Sequence, residues 1–395
     1  MKKILEDIRV LDLTHVWFGP WSTLMLAELG AEVIKVEPPW GSLGRIPEMG
    51  PMYGGVSSTF HHLNLNKKDM AINLKSPEGV AIFKRLGKLS DVVVENFTPG
   101  TMKKLGLSYE DLREIKPDII YAALSGFGQT GPYAARPSYA VIAESITGFT
   151  RANGDNADPE GPPVSMPGAF GDLAPGTMAA MCIIGAIRYR DKTGKGQMID
   201  VAQTDCMVAY NVNVTSYFLS GKNEIERRKE WEEIRKKSGR MHVGGVMKVK
   251  DGWIHLAGWR ARGIDALKKK LGLGEEELDK EKVESYIGNM TQEEAVNFFV
   301  EVGLPVAPVY YASKAVSDPH ILSRNLFVEL EHKRAGKIKV PNFPVKLSET
   351  PGEVISAAPL LGEHNREILM NYLGYTEDEV TKLEKGGVIA SEKLE

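Results

Sequence analysis

The sequence predicts an α/β fold: a Rossmann-like large domain with a smaller inserted α+β domain. Three observations carry the prediction. Strand-like and helix-like segments alternate through the first 130 residues, the pattern of parallel strands joined by crossovers. A charged stretch near residue 225 separates that region from a smaller one with hairpin and short-helix patterns. The last 75 or so residues return to extended and turn-rich segments closed by a helix, as expected of a chain that re-enters its first domain.

The elements follow in order. "IRVLDL" (Ile8 to Leu13) reads as the first strand, "WSTLMLAEL" (Trp21 to Leu29) as the returning helix, and "AEVIKVE" (Ala31 to Glu37) as the second strand. Gly30 is placed to end the helix. In "SPEGVAIFKRLGKLS", Ser76 is the expected N-cap and Pro77 the first helical residue, before the strand "DVVVENF". "YEDLREIKP" is helical to Pro117, and "DIIYAALSG" is the next strand. From about Pro132 to Pro167, Gly, Pro, Asn and Asp dominate, and "RANGDNADPEGPPVSMPG" is too rich in turn formers for regular structure. A long helix follows in "APGTMAAMCIIGAIRYRDKTGKG", apolar nearly all round from Met178 to Ile187 and so expected to be buried. "QMIDVAQ" is strand-like, "ERRKEWEEIRKK" (Glu226 to Lys237) reads as a solvated helix, and "GGVMKVKDGWIHLAG" as a hairpin. The expected boundaries are 1–220 and 318–395 for the large domain and 221–317 for the small one.

Composition narrows the class. A net charge of −3 with scattered Lys and Arg gives no footprint for nucleic acid. No apolar run approaches the roughly 20 residues needed to span a bilayer, so no membrane partner is expected. The basic start is interrupted by Glu6 and Asp7, and a cytoplasmic location is the default. Two cysteines, Cys182 and Cys206, suit a reducing compartment and read as buried apolar residues.

The stretch "SGFGQTGPY" spells G-x-G-x-x-G with Gly126, Gly128 and Gly131. A dinucleotide loop must open directly into a helix, but here Pro132 and Pro137 follow, so a glycine-rich turn is the better reading. His61 and His62 are adjacent and diverge, no C-x-x-C or H-x-x-x-H occurs, and no metal is expected. G-x-S-x-G is also missing. The remaining candidate is Asp172 in "GAFGDLAPGTMAA", where unpaired N–H groups and the helix dipole favour a carboxylate. Such a group either caps the helix or attacks an activated acyl group to form an anhydride. The residues alone leave both readings open.

Around these residues the chain resembles the family III CoA-transferases of the CaiB/BaiF type, a group that includes formyl-CoA:oxalate CoA-transferase. The resemblance runs through "VLDLTHVWFGPWSTLMLAELGAEVIKVEPP", "NLNKKDMAINLKSPEG", "DVVVENFTPGTMKKLGL", "SGFGQTGPY", "GDLAPGTMAAMCIIGAIRYRDKTGKGQMIDVA", "GLPVAPV" and "APLLGEHNREIL". It implies an interlocked homodimer, no tightly bound cofactor, and coenzyme A and acyl-CoA as substrates, with a carboxylic acid as acceptor. Asp172 falls on the family's catalytic aspartate, which would pass through an acyl anhydride and a CoA thioester.

The resemblance places CoA against Val16 to Phe18, Leu74, Lys75, Asn96, Phe97, Lys104 and Tyr139, with Arg45 as a further phosphate candidate. Trp17 and Ala140 would face the acyl group, where family members often carry a glutamine and an acidic residue, so a less polar acyl pocket is implied. Gly244 and Gly245 match the glycine loop that covers the anhydride, although a hairpin turn explains them equally. A racemase or isomerase of the same family is the alternative, disfavoured because "RPSYAVIAES" lacks the histidine base of the α-methylacyl-CoA racemases.

Overall fold

The computed structural model describes residues 3–238, 243–258, 261–273 and 278–392. The chain divides into two compact units, Met1–Val212 with Asn325–Glu395, and Asn213–Arg324.

The larger unit is built on a six-stranded sheet. In chain order its elements are β1 (Arg9–Asp12), α1 (Phe18–Glu28), β2 (Glu32–Glu37), α2 (Ser58–Leu63), β3 (Lys67–Ala71), α3 (Pro77–Lys88), β4 (Val92–Glu95), α4 (Thr101–Lys104), α5 (Tyr109–Ile115) and β5 (Ile120–Ser125). They continue with α6 (Ala140–Ile146), α7 (Phe149–Ala157), α8 (Phe170–Thr193), β6 (Met198–Ala202) and α9 (Gln203–Tyr210). The strand order is β3-β2-β1-β4-β5-β6 and every pairing is parallel. This is the doubly wound order, and its direction reverses between β1 and β4, where ligands of such folds bind beyond the strands' carboxyl ends.

The strands are nearly continuous apolar runs because helices cover both faces. On one face Leu11, Ile34, Val93 and Tyr121 pack with Ile82, Phe83 and Leu86 of α3. On the other, Val10, Val33, Val92 and Ile120 pack with Leu26 of α1 and Ile183 of α8. Local signals set the helix ends. Ser76 Oγ accepts the Gly79 N–H at 3.0 Å with Pro77 at the first position, and Ser108 and Asp111 form a reciprocal capping box on α5. Gly30 takes φ +103° after α1, a conformation that favours glycine.

Several expectations from the sequence are corrected. "NLNKKDMAINLK" contains β3, which the alternation rule misses because Lys67 and Asp69 point into buried ion pairs rather than solvent. Within the stretch expected to be irregular, α6 and α7 form. Gly148 at φ +88° starts α7, Phe149 packs on Phe170 at 5.7 Å, and Gly154 lies where a Cβ would meet the Pro162 carbonyl at 2.5 Å. Tertiary packing therefore overrides weak helix propensity. The α8 helix is not buried all round: Met181 is 62% exposed, and Cys182 is exposed rather than buried. With 24 residues, α8 is also long and apolar enough to cross a membrane by length and composition, contrary to the expectation, although half of its apolar window is buried. That half packs on α1 and the sheet.

The returning segment covers the β3 edge. Gly362 N–H donates to Asp69 Oδ1 at 2.6 Å, Ala71 N–H to Asn365 Oδ1 at 3.0 Å, and Ile72 bridges Ile389. The quoted "APLLGEHNREIL" thus serves as an edge cap. This segment also carries a hairpin of β10 (Phe327–His332) and β11 (Gly336–Pro341). In the smaller unit α10 (Val212–Ser220) and α11 (Glu224–Ser238) precede an antiparallel sheet of β7 (Gly245–Val249), β8 (Gly252–Leu256) and β9 (Val306–Pro308). Packed with it are α12 (Ala261–Leu271), α13 (Lys280–Ile287) and α14 (Gln292–Glu301), around Met247, Ile254, Leu267 and Phe299.

Candidate active site

The site forms at the switch point, where the loop after β1 meets the loop after β4. Asp12, fully buried at the end of β1, organises the first loop. Its carboxylate accepts from Thr14 N–H at 2.9 Å, Thr14 Oγ1 at 2.5 Å, Thr23 Oγ1 at 2.6 Å and Lys67 Nζ at 3.0 Å. Lys67, Lys35 and the two hydroxyls hold this acid far below the carboxylate range despite its burial. Lys35 Nζ in turn donates to the Thr14 carbonyl at 2.8 Å.

The next residues cross to the second loop. His15 N–H donates to Asn96 Oδ1 and Asn96 Nδ2 donates to the His15 carbonyl, both at 2.9 Å. The chain then turns sharply through Val16, a β-branched residue at φ +67°, into α1. Such a conformation costs about 1–3 kcal/mol and persists only where neighbours over-determine it, as the Asn96 clamp does here.

Asp172 lies in the first turn of α8, whose N-cap is Ala169 at φ +54° with no side-chain cap. The capping reading is therefore not realised. Gln203, at the head of α9 and also buried, donates Nε2 to Asp172 Oδ1 at 2.5 Å. Ser138 Oγ reaches Gln203 Oε1 at 3.3 Å, which orients the amide. The sequence expectation that the helix end would favour ionised Asp172 is corrected. Burial, then the nearby Glu144 charge, pushes its carboxyl up to about 7, against the opposing hydrogen bond from Gln203. The helix-end N–H of Gly171 is taken by Glu144 Oε1 at 2.8 Å, so it does not serve Asp172.

Around Asp172 is a cavity of about 70 Å³ lined by His15, Val16, Trp17, Phe18, Asn96, Ser138, Tyr139 and Gln203 among others. Five residues named from the resemblance thus converge on the aspartate: Val16, Trp17, Phe18, Asn96 and Tyr139. Phe97 lines an adjoining cavity of about 370 Å³ with Trp40, Ser42 and Arg45, and His15 borders both. Lys75 is exposed with Nζ 5.6 Å from the Trp40 ring, while Leu74 is half-buried against the core. Lys104 is exposed in the last turn of α4 and lines neither cavity.

The remaining candidates are Arg45, Ala140, Gly244 and Gly245. Arg45 borders the larger cavity, but its guanidinium is committed to Glu37 at 2.7 Å, Asp69 at 3.3 Å and the Pro359 carbonyl at 3.1 Å, and it stacks on Phe60. Beside the guanidinium, Glu37 is held below the carboxylate range despite its burial, whereas burial and then the neighbouring Glu37 push Asp69 well above it. These bonds engage Nε and Nη2 and give Arg45 a structural role, while its Nη1 is buried with no hydrogen-bond partner among the described residues. Ala140 is buried outside the cavity lining, its carbonyl 2.7 Å from where a Cβ on Gly171 would sit. Gly244 and Gly245 belong to the smaller unit, where Gly245 opens β7 at φ +110°, and the preceding Arg240 to His242 lie outside the described residues.

Sequence reading missed His15, Ser138, Gln203 and Glu144. Only His15 carried a local signal, since it sits beside the strained turn in "THVW". Gln203 and Glu144 are brought to Asp172 by the packing of α6, α8 and α9. The glycine loop is a turn: Gly128 and Gly131 have φ +83° and +97°, and a Cβ on Gly126 would lie 2.0 Å from Ser138 Cβ. That close approach fixes the strand end against the residue preceding Tyr139.

Comparison with known proteins bears on this site. The human succinyl-CoA:glutarate CoA-transferase is 34% identical, over 98% of this chain and 90% of that protein. The succinyl-CoA–D-citramalate CoA-transferase of Chloroflexus aurantiacus is 33% identical, over 98% of both. The crystal structure of a CAIB/BAIF family protein from Brucella suis superposes with a TM-score of 0.80 at 26% identity, covering 94% of this chain and 100% of that one. The model of CoA-transferase family III matches residues 5–365. With a parallel doubly wound sheet and an acid-bearing cavity at its switch point, the chain belongs to CoA-transferase family III.

Proposed function

We propose that Asp172 is the covalent nucleophile of this CoA-transferase. The observation that carries the reading is a buried carboxylate of raised basicity at the floor of a cavity, held by one amide and flanked by the clamped loop after β1. An Asp172 oxygen attacks the thioester carbonyl, the C–S bond breaks, and CoA leaves as a thiolate, giving an acyl-aspartyl anhydride. The thiolate then attacks the aspartyl carbonyl carbon and expels the donor acid as a carboxylate, leaving an aspartyl-CoA thioester. The acceptor carboxylate displaces CoA to form a second anhydride. Attack of the thiolate on the acceptor's acyl carbon frees Asp172 and the new thioester. No step requires a net proton, which agrees with His15, the titratable neighbour whose pKa burial drives down to about 4, remaining neutral.

The chain's own residues hold the path. The start of α1 lies at the cavity, so its positive dipole end favours the CoA thiolate and the carbonyl oxygens that become anionic. We assign the adenosine end of CoA to the larger cavity, with Phe97 and Trp40 as stacking faces and Lys75 near the phosphates. Excluding water protects the anhydride. As donor we put forward succinyl-CoA, after the names of the human and Chloroflexus relatives.

We further propose an interlocked homodimer. The mutually packed α6, α8 and α9 leave Val141, Ile142, Ile146, Met181, Val208 and Tyr210 exposed, a large apolar set for a lone chain. Intact-mass measurement after incubation with succinyl-CoA tests the nucleophile. The wild type acquires acyl or CoA mass and Asp172→Asn does not. Equal label exchange between thioester and acid by both proteins would refute the assignment.

A further inference from the structure

We propose that Glu144 is a positioning residue that keeps the Asp172 carboxylate reactive, acting as a buried like charge that is relieved each time Asp172 is acylated. The inference rests on the reading of Asp172 as nucleophile. It begins with where Glu144 sits. The side chain has no solvent exposure, Oε1 accepts the Gly171 N–H at 2.8 Å, and Oε2 is buried with no hydrogen-bond partner among the described residues. Gly171 immediately precedes Asp172 at the start of α8. The positive end of that helix therefore supports Glu144 on α6, and among the described residues Gln203 is the side chain that hydrogen-bonds Asp172.

This arrangement has a direct effect on the reaction. In the resting enzyme two carboxyl groups share a poorly solvated region, and the Glu144 charge opposes ionisation of Asp172. When an Asp172 oxygen forms its bond to the acyl carbon and the electron pair of the C–S bond leaves on the CoA sulfur, the Asp172 charge disappears from beside Glu144. The like-charge repulsion is thus present in the free carboxylate and absent in the anhydride and the thioester. It raises the ground state relative to both covalent intermediates.

Other charges do not duplicate this: on α7, which packs against α6, the exposed Arg151 is paired with Asp155. From the loop after β1 comes His15, neutral near pH 7. Tyr139 heads α6 and is exposed; on α9, Asp205 is exposed and Cys206 has its thiol pushed by burial up to about 11. From β6, Asp200 accepts the Gln129 N–H instead. Glu28 lies at the far end of α1, and Arg188, Arg190, Asp191 and Lys192 at the far end of α8.

The test uses Glu144→Gln in the full chain, which keeps an oxygen for Gly171 N–H and removes the charge. The pH profile of kcat/KM is measured with succinyl-CoA, beside intact-mass detection of the adduct. The acid limb is expected to move down by about one pH unit, because a less opposed Asp172 stays ionised to lower pH. The plateau kcat is expected to fall about tenfold with KM for the thioester unchanged. Should that variant not fold, Glu144→Asp carries the test: it keeps the charge but shortens the reach to Gly171, so stability falls while the acid limb stays in place. A limb that does not move in Glu144→Gln, or one that moves in Glu144→Asp, overturns the inference while the wild-type adduct on Asp172 upholds the nucleophile. A wild type with no adduct at Asp172 overturns both.

Discussion

Replacing Asp172 by Asn should stabilise the protein in alkaline but far less in acid solution. Burial raises the Asp172 carboxyl from the ordinary 3.8 to about 7, and the group is only 7% exposed. A folded-state pKa above the unfolded value means that the folded chain binds this proton more tightly. Below pH 3.8 both states are protonated and there is no penalty. As pH rises from 3.8 to 7 the unfolded chain loses the proton first and stability declines, and above 7 the penalty is complete. The 3.2 pH units between the two values, at about 1.36 kcal/mol each, amount to about 4 kcal/mol at pH 8. At pH 5 less than half of this penalty has accrued. The Asn variant carries no such charge, so its advantage over wild type should grow by about 3 kcal/mol between pH 5 and pH 8. Urea titrations of both proteins at the two pH values, analysed for the transition of the larger unit, measure this directly. An advantage that is the same at both pH values would refute the claim that the site holds Asp172 against its ionisation. The same variant is expected to lose the covalent adduct proposed above, so stability and reactivity would trade through one carboxylate.

Two further substitutions separate structural from ligand-binding roles. Asn96→Ala removes both 2.9 Å bonds to His15 and releases the strained Val16 turn; it should raise KM for the acyl-CoA about tenfold, with a loss of about 1–3 kcal/mol in stability, read by steady-state kinetics and urea titration. Arg45→Leu strips the buried Glu37 and Asp69 pair of its cation; it should cost about 3–5 kcal/mol in urea unfolding, whereas a phosphate ligand would instead raise KM at unchanged stability.

Much of the architecture was legible because parallel strands buried on both faces need continuous apolar runs, and their helices need caps. The Ser76-Pro77 cap, "VVVE" and "IYAALS" could be read directly from the sequence. Elements escaped where polar residues face inward. The β3 strand hides its period because Lys67 and Asp69 belong to ion networks whose partners lie on other strands and loops. The α7 helix is assembled by Phe170 and the Pro162 to Pro163 turn against a sequence that favours turns.

The same division holds at the site. The sequence by itself determined the family, the glycine turn and the candidate aspartate, since blocks such as "VLDLTHVWFGP" and "GDLAPGTMAA" are contiguous and each encodes one loop and one helix start. Only the tertiary structure decided the state of Asp172, that Arg45 is bound within the chain, and that Glu144, Gln203 and His15 belong to the centre. Ionisation depends on burial and on charges brought near by packing. Glu144 and Gln203 lie 28 and 31 positions from Asp172, and no spacing rule could have joined them before α6, α8 and α9 came together.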